Sequence, residues 1–485
     1  MKSKKNLGLL LILLPLLVML FLPNSITTKT KFYKVLKAAD EINRKNVLVF
    51  INNNDYISLI DPINQFKTDV ESKFSVNIKL QAIENLKNYQ PENIRQILID
   101  ECQIDAIEGC KNLEGAIFIG DIPYALYDQI YNRWNTAPFM FYYQDLDASF
   151  EKRENGHYFK YETFGIHEGP EIYTSWIKPL NDPSLGSPIE QLKNYFDKHH
   201  KYFSGEITSN GKVVIAIHCD TDASKDKIFY NLFKEVYGET LVVEVHPHDG
   251  GCDNLESVKP ELISQLSQSP ELAYLHSHGS PNGVWNLTKD DLLSLPRLPL
   301  FLFSWGCNNG NFYYDETRSF PLAFINGISL GLSYIGKLDA DDIKRDDTPE
   351  CTTCRFVNNQ DYFFRYWNHG DYVGKSLLKV IQDFTNFKDP VSPEKPPLNL
   401  YRISGPLQRI IIGSPFIQRQ IINIPGDIDH DGQVNITDLN ILLDSWSLQG
   451  LIPTPSYGQL SADLNIDGIV DEKDLTILLS NWKSQ

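Results

Sequence analysis

The chain has 485 residues, with a hydrophobic content of 42% and an aromatic content of 12%. That length exceeds one ordinary core, and that composition excludes a disordered chain. The net charge of −17 argues against nucleic acid as a partner, because phosphate recognition needs a basic surface. From residue 426 to residue 485, ten Asp and Glu stand against two Lys, a local excess that suits a hard cation.

At the amino terminus, Lys2, Lys4 and Lys5 precede an unbroken apolar run over residues 7–22. This is the pattern of a secretory signal over residues 1–25, set aside from the fold. PNS at residues 23–25 is a poor match to a small-x-small cleavage site. An uncleaved N-terminal anchor is the alternative, although the run falls short of the ~20 residues that span a bilayer. Either way the expectation is a secreted or cell-surface protein, touching the membrane only if the leader is kept.

The cysteines are Cys102, Cys110, Cys219, Cys252, Cys307, Cys351 and Cys354. An odd count in an exported chain leaves a thiol unpaired or intermolecular, and Cys307 is the candidate. Cys351 and Cys354 form a lone CxxC with no second pair to complete a zinc site.

Next come short apolar runs that read as buried strands: VLVFI (47–51), GAIFI (115–119), VVIAI (213–217), LVVEV (241–245), LAYL (272–275) and LFLF (300–303). Helical patterns lie between several of them, such as IEQLKNYFDK over residues 189–198. Strands alternating with helices predict an α/β domain over residues 30–420, with a mainly parallel sheet flanked by helices. Ligands of such sheets bind beyond the carboxyl ends of strands. Residues 389–397, with four prolines, read as a loop, and RIIIG (409–413) is the last apolar run before a connector.

Two segments 36 residues apart then share one pattern: DIDHDGQVNITD (427–438) and DLNIDGIVDEKD (463–474). Asp or Asn fills loop positions 1, 3, 5, 9 and 12, and Gly fills position 6. Calcium takes six to eight oxygens, and a loop of this length supplies them when the chain turns sharply at the Gly. The expected ligands are Asp427, Asp429, Asp431, Gln433, Asn435 and Asp438 in one loop. In the other they are Asp463, Asn465, Asp467, Ile469, Asp471 and Asp474, with Gln433 and Ile469 giving main-chain carbonyls. Each loop runs into an apolar helix, LNILLDSW (439–446) or LTILLSNW (475–482), and none precedes it. Two Ca²⁺ sites in a small, duplicated, all-α loop-helix unit over residues 426–485 are expected, folding with its metal because its helices are short.

A loop followed by one helix, twice, with Asp at position 12, resembles a type I dockerin. The resemblance implies a cohesin domain as partner, contacted at loop positions 10 and 11: Ile436 and Thr437 in one copy, Glu472 and Lys473 in the other.

In the α/β domain, YLHSHGS (274–280) and FSWGCNNGNF (303–312) each follow an apolar strand. A nucleophilic thiol needs an imidazole to hold it as thiolate and to protonate the leaving amine. His278 and Cys307 fill those roles, and the amides of Gly279 and Cys307 can stabilise an oxyanion. Strand alternation turns His276 to the other face, where it reads as structural. His246, His248 and Asp249 read as a polar loop after a strand.

His-Gly after one strand and Cys after a later one is similar to clan CD peptidases, which include caspases, legumains and gingipains. LEGAIFIGDIP (113–123), FYYQDLD (141–147), EIYTSWIKP (171–179) and IIGSP (411–415) resemble the LVGD-x-P, D-x-YY-x-x-LDG, E-V/I-x-x-GRI-P and LGDP segments of gingipain-like enzymes. Ser-His-Gly stands here for Gly-His-Gly, Ser-Trp for Gly-Arg and GSP for GDP. The resemblance implies a caspase/gingipain-like fold and a secreted cysteine endopeptidase acting on a protein or peptide substrate, with Glu171 to orient His278. The competing reading is a catalytically inactive, peptidase-like binding or scaffold component displayed through the dockerin-like tail. A glycosidase ranks last, because no carboxylate pair is singled out.

Overall fold

The computed structural model describes residues 44–105, 109–128, 136–163, 165–166, 169–217, 230–231, 233–234, 237–245, 255–328, 330–338, 363–368, 370–386, 409–419, 426–428, 433–446, 462–465 and 469–482. The leader, His246, His248, Asp249, the proline-rich segment 389–397, and Cys219, Cys252, Cys351 and Cys354 lie outside the described residues.

Ten strands form the main sheet: β1 (Lys45–Asn52), β2 (Val76–Ile83), β3 (Leu113–Ile119), β4 (Tyr173–Ile177), β5 (Val213–Ile217), β6 (Val242–Val245), β7 (Leu272–His276), β8 (Phe301–Ser304), β9 (Ser333–Lys337) and β10 (Arg409–Gly413). Their order is β6-β5-β7-β8-β9-β10-β4-β3-β1-β2. Most of the central strands are apolar on both faces, as a sheet covered by helices on each side requires. From β6 to β9 the strands run parallel. From β10 through β4 and β3 to β1 they run parallel again. The two blocks meet antiparallel at β9–β10, where Lys337 pairs with Arg409. This seam departs from a uniformly parallel sheet and has a consequence for the site. The carboxyl ends of β7 and β8 open on the same sheet edge as the amino end of β4.

Among the flanking helices, α1 (Asn53–Lys73), α2 (Pro91–Cys102) and α3 (Pro188–Phe203) show how local sequence sets the elements. Helix α3 starts at a capping box, in which the Ser187 side chain accepts from the Glu190 amide and Glu190 reaches back to the Ser187 amide, with Pro188 in the first turn. Its Leu192, Tyr195, Phe196, His199 and Tyr202 are buried, a spacing that forms one apolar face. Burial pushes the His199 imidazole down to about 3, so it stays neutral and shares a hydrogen bond with Ser414 Oγ at 3.1 Å. Burial also pushes the Lys198 ammonium down to about 7; its Nζ donates to the carbonyls of Ile325 and Gly327. Contacts of this kind fasten α3 to the residue after β10 and to the carboxyl end of α4 (Phe320–Asn326).

The buried apolar residues fall into two clusters. One extends from Val47 to Ile417 and fills the α/β domain. The other consists of Ile428, Val434, Leu442, Ala462, Leu464, Val470 and Leu478 and belongs to the tail. A separate four-stranded sheet joins Thr136–Pro138, Leu126–Asp128, Tyr158–Thr163 and Ser149–Lys152.

Candidate functional site

Strands β7 and β8 are neighbours in register, with Leu275 opposite Ser304. The ladder continues one step past β8, where the Trp305 amide donates to the Leu275 carbonyl at 2.8 Å. Two residues beyond the end of β7 stands His278, and two beyond Trp305 stands Cys307. Register alone therefore carries the His and Cys loops out side by side.

The loops then touch through their backbones. A methyl carbon built on Gly279 would lie 2.6 Å from Gly306 Cα and 3.1 Å from the Cys307 nitrogen. No side chain fits there, so the approach requires glycine at 279. His278 is exposed and Cys307 half-buried. Among the described cysteines, Cys102 and Cys110 are joined by a disulfide and Cys307 is not part of one. His276 is half-buried, its ring 6.0 Å from that of Trp305. Arg409, from the antiparallel seam, lies over the same indole at 3.7 Å and donates to the Ser304 carbonyl at 3.1 Å.

Two further residues hold this pair of loops, and sequence reasoning missed both. Asn309 is fully buried. Its Nδ2 donates across to the carbonyls of Ser280 at 2.9 Å and Gly283 at 3.0 Å. Its side-chain oxygen accepts from the Tyr334 hydroxyl of β9. Trp285 sits in a tight hairpin between the short strands Gly283–Val284 and Leu287–Thr288, at φ 55. That conformation is costly for a bulky residue and persists where the surroundings over-determine it. Here the indole is buried, and its N–H donates to the His276 carbonyl at 3.2 Å. The signal in the sequence was the polar doublet Asn308-Asn309 straight after the thiol.

Glu171 lies on the same sheet edge, but β8, β9 and β10 separate β7 from β4. At the usual strand spacing that is about 19 Å between the two strands. Its described contacts are with another segment. The Leu146 amide donates to Glu171 Oε2 at 2.6 Å, and the side-chain oxygens of Asp145 and Asp147 lie within 4.8 Å. Burial, and then the Asp145 charge, push the Glu171 carboxyl up to about 9. The structure thus brings Gly279, next to His278 in the chain, against the backbone of the Cys307 loop, and gathers Glu171 with two other carboxylates.

In the tail, the helices are α5 (Ile436–Asp444) and α6 (Glu472–Ser480). Both begin at loop position 10, three residues earlier than the apolar run suggests, because position 9 is the helix N-cap. The Asn435 side chain accepts from the Thr437 amide at 2.7 Å, and that of Asp471 from the Lys473 amide at 2.8 Å. Position 12 then closes the loop. Asp438 accepts from the amides of Ile428 at 2.6 Å and Asn435 at 2.8 Å. Asp474 accepts from those of Asn465 at 3.0 Å and Asp471 at 2.8 Å. The buried apolar residues repeat at the same 36-residue interval as the loops: Ile428 with Leu464, Val434 with Val470, Leu442 with Leu478. At the entry to the first loop, Gly426 has φ 99, and a methyl carbon on it would meet Leu478 Cα at 2.8 Å. One half therefore packs its backbone on the helix of the other.

Residues 425–481 match the family model of the dockerin type I domain. The tail is a type I dockerin. With that come calcium binding and attachment to a cohesin-bearing partner; dockerin proteins are typically extracellular or bound at the cell surface. The dockerin's donors fit the metal. Asp427, Asp438, Asp463 and Asp474 are all buried, and buried carboxylates need a cation or dense hydrogen bonding. An all-oxygen set with carboxylates and main-chain carbonyls suits a hard divalent ion. Asp429, Asp431 and Asp467 lie outside the described residues. No curated protein and no solved structure matches the chain. Among the described residues no helix is long and apolar enough to cross a membrane.

Proposed function

We propose that the α/β domain over residues 30–420 is a cysteine endopeptidase of the caspase/gingipain type, carried to a cohesin-bearing partner by the dockerin. One observation supports it most: Gly279 meets the backbone of Gly306 and Cys307 at the ends of adjacent parallel strands. This arrangement puts an imidazole-bearing residue and a thiol on touching loops at the carboxyl edge of a sheet, where such folds bind ligands.

In the mechanism, His278 takes the Cys307 proton, and the thiolate sulfur attacks the carbonyl carbon of the substrate peptide. Negative charge moves to the carbonyl oxygen, where the amides of Gly279 and Cys307 donate to it. The C–N bond then breaks, and protonated His278 gives its proton to the leaving amine. Water, deprotonated by His278, attacks the thioester carbon; the C–S bond breaks, and Cys307 and the carboxylic acid are released. The orienting role expected for Glu171 is not carried into this mechanism, because its contacts lie with Leu146, Asp145 and Asp147.

In the dockerin we assign one calcium ion to Asp427, Asp429, Asp431, Gln433, Asn435 and Asp438. A second belongs with Asp463, Asn465, Asp467, Ile469, Asp471 and Asp474. Ile436, Thr437, Glu472 and Lys473 are the cohesin-facing positions; Ile436 is exposed at the start of α5.

The test is a peptide-library cleavage profile of wild type beside Cys307→Ala, with an active-site-directed thiol probe in calcium buffer. Cleavage by the wild type alone and labelling of Cys307 are expected. A folded wild type with neither activity nor labelling would leave the α/β domain a binding component displayed through the dockerin.

A further inference from the structure

We propose that Trp285 is a positioning residue for the Cys307 chemistry, holding through its indole N–H the loop that carries His278 and Gly279. The inference rests on the peptidase reading and deepens it.

The loop is a closed unit. After His276, the last residue of β7, the chain folds into a three-stranded antiparallel ribbon of Gly279–Ser280, Gly283–Val284 and Leu287–Thr288. Gly279 pairs with Val284, and Val284 with Leu287. Trp285 Nε1 then donates to the His276 carbonyl at 3.2 Å, so one bond shuts residues 276–285 with His278 and Gly279 inside. Val284 touches the thiol loop as well: a methyl carbon built on Gly306 would lie 3.1 Å from Val284 Cγ2 and 3.0 Å from Gly279 Cα. The His278 side chain is exposed, so the backbone beneath it sets where the imidazole begins.

The second observation is the choice of residue. Trp285 and Asn286 are the two central residues of the turn between Val284 and Leu287, at φ 55 and φ 54. A two-residue hairpin with positive φ at both positions favours Asn, Asp or Gly. Asn286 suits it; Trp285 does not, because a bulky side chain is strained in that region. Glycine or asparagine at 285 would make the turn at lower cost, and phenylalanine would fill the buried site. Only tryptophan joins large apolar bulk to a ring N–H that burial obliges to find a partner. Trp285 is 1% exposed, and its partner is the carbonyl two residues before His278. The turn is also held from outside, where Lys259 Nζ of the helix Leu255–Leu266 donates to the Asn286 carbonyl at 2.9 Å. Strain fixed in this way beside a reacting group is a form of preorganisation. In the reaction the imidazole must reach the thiol and the Gly279 amide must meet the oxyanion, and both contributions fall steeply with misplacement.

The test uses the full chain, the peptide that wild type cleaves fastest, and two complementary variants. Trp285→Phe keeps the apolar bulk and loses the donor. Trp285→His keeps a ring N–H two bonds from Cγ, where the indole has its own, and loses the bulk. Trp285→Phe should stay folded in a urea titration yet turn over at least about 10-fold more slowly, with KM within about 2-fold. Its Cys307 should be alkylated by iodoacetamide about 5-fold more slowly near neutral pH, read on the Cys307 peptide by mass spectrometry. Trp285→His should be less stable than Trp285→Phe and still faster, a crossing that a merely structural role would not produce. Should Trp285→His fail to fold, Trp285→Phe decides alone. Wild-type turnover and alkylation in Trp285→Phe would overturn the proposal. So would turnover that follows stability, with Trp285→His the slower. A wild type that cleaves no peptide, and whose Cys307 alkylates no faster than in the unfolded chain, overturns the peptidase reading and this inference with it, before any substitution is made.

Discussion

The dockerin and the α/β domain assemble their polar sites over different ranges of sequence. In the dockerin every expected donor to a loop lies within twelve residues, and the N-cap and position-12 side chains organise that loop with their own backbone. In the α/β domain, the loops that carry His278 and Cys307 meet because two strands share a register, and Asn309 ties the loops across that gap. A site of the first kind is coupled to its metal, since metal binding to a loop absent in the unfolded chain is folding free energy. A site of the second kind depends on the packing of a whole sheet and should survive loss of the metal that holds the tail.

The sharpest test of this contrast is catalytic. Cys307→Ala should lower peptide turnover by a factor on the order of 10⁴ or more, with an unchanged circular dichroism spectrum. Wild-type turnover in that variant would reduce the contact between the loops to a structural feature.

Chelation comes next. Removing calcium should unfold residues 420–485 and release a cohesin-bearing partner in pull-down, while calorimetry on that segment should count two calcium sites. If the isolated segment keeps its helical signal in chelator, its small core suffices and the coupling argument fails.

Asn309→Ala probes the long-range site without touching the reacting groups. It strands the carbonyls of Ser280 and Gly283 and should cost roughly 2–3 kcal/mol of stability by denaturant titration. A loss within about 0.5 kcal/mol would mean the loops are held mainly by the sheet.

Within the dockerin, Asp438→Ala and Asp427→Ala should separate two roles. Both should weaken calcium binding, and Asp438→Ala also removes the bonds from the amides of Ile428 and Asn435. It should cost about 1 kcal/mol of helix stability even without metal. A metal-free spectrum of Asp438→Ala equal to that of the metal-free wild type would count against the capping role.

A pH slope tests the packing of the α/β domain. Burial pushes the Lys198 ammonium down to about 7 in the folded chain, from an ordinary 10.5. Between those values the unfolded chain binds the extra proton, so stability rises with pH across that window, by up to about 1.4 kcal/mol per unit. Below about pH 7 the full penalty for burying the charge is present. Lys198→Met should remove this slope; an unchanged slope would show that Lys198 is not its source.

Much of the fold could be read from local sequence. The runs at 47–51, 115–119, 213–217, 272–275 and 409–413 are strands because unbroken apolar stretches suit a sheet covered on both faces. Strands β2, β4 and β9 were not singled out. They interleave polar residues, and in β4 Thr174 is satisfied by a side chain 30 positions away. Glu171 illustrates the same limit: its place among Asp145 and Asp147 depends on a staple to Gln144 that no spacing rule contains.

Sequence by itself therefore determined the dockerin, its loops and its helices, since ligands, caps and turns there interact within a few residues. It also marked His278 and Cys307 as loop residues following apolar strands. Only the tertiary structure decided that those strands are neighbours, that the sheet reverses between β9 and β10, and that Glu171 keeps other company. Strand order and register are set by packing among residues far apart in the chain, and a local pattern contains no term for such contacts.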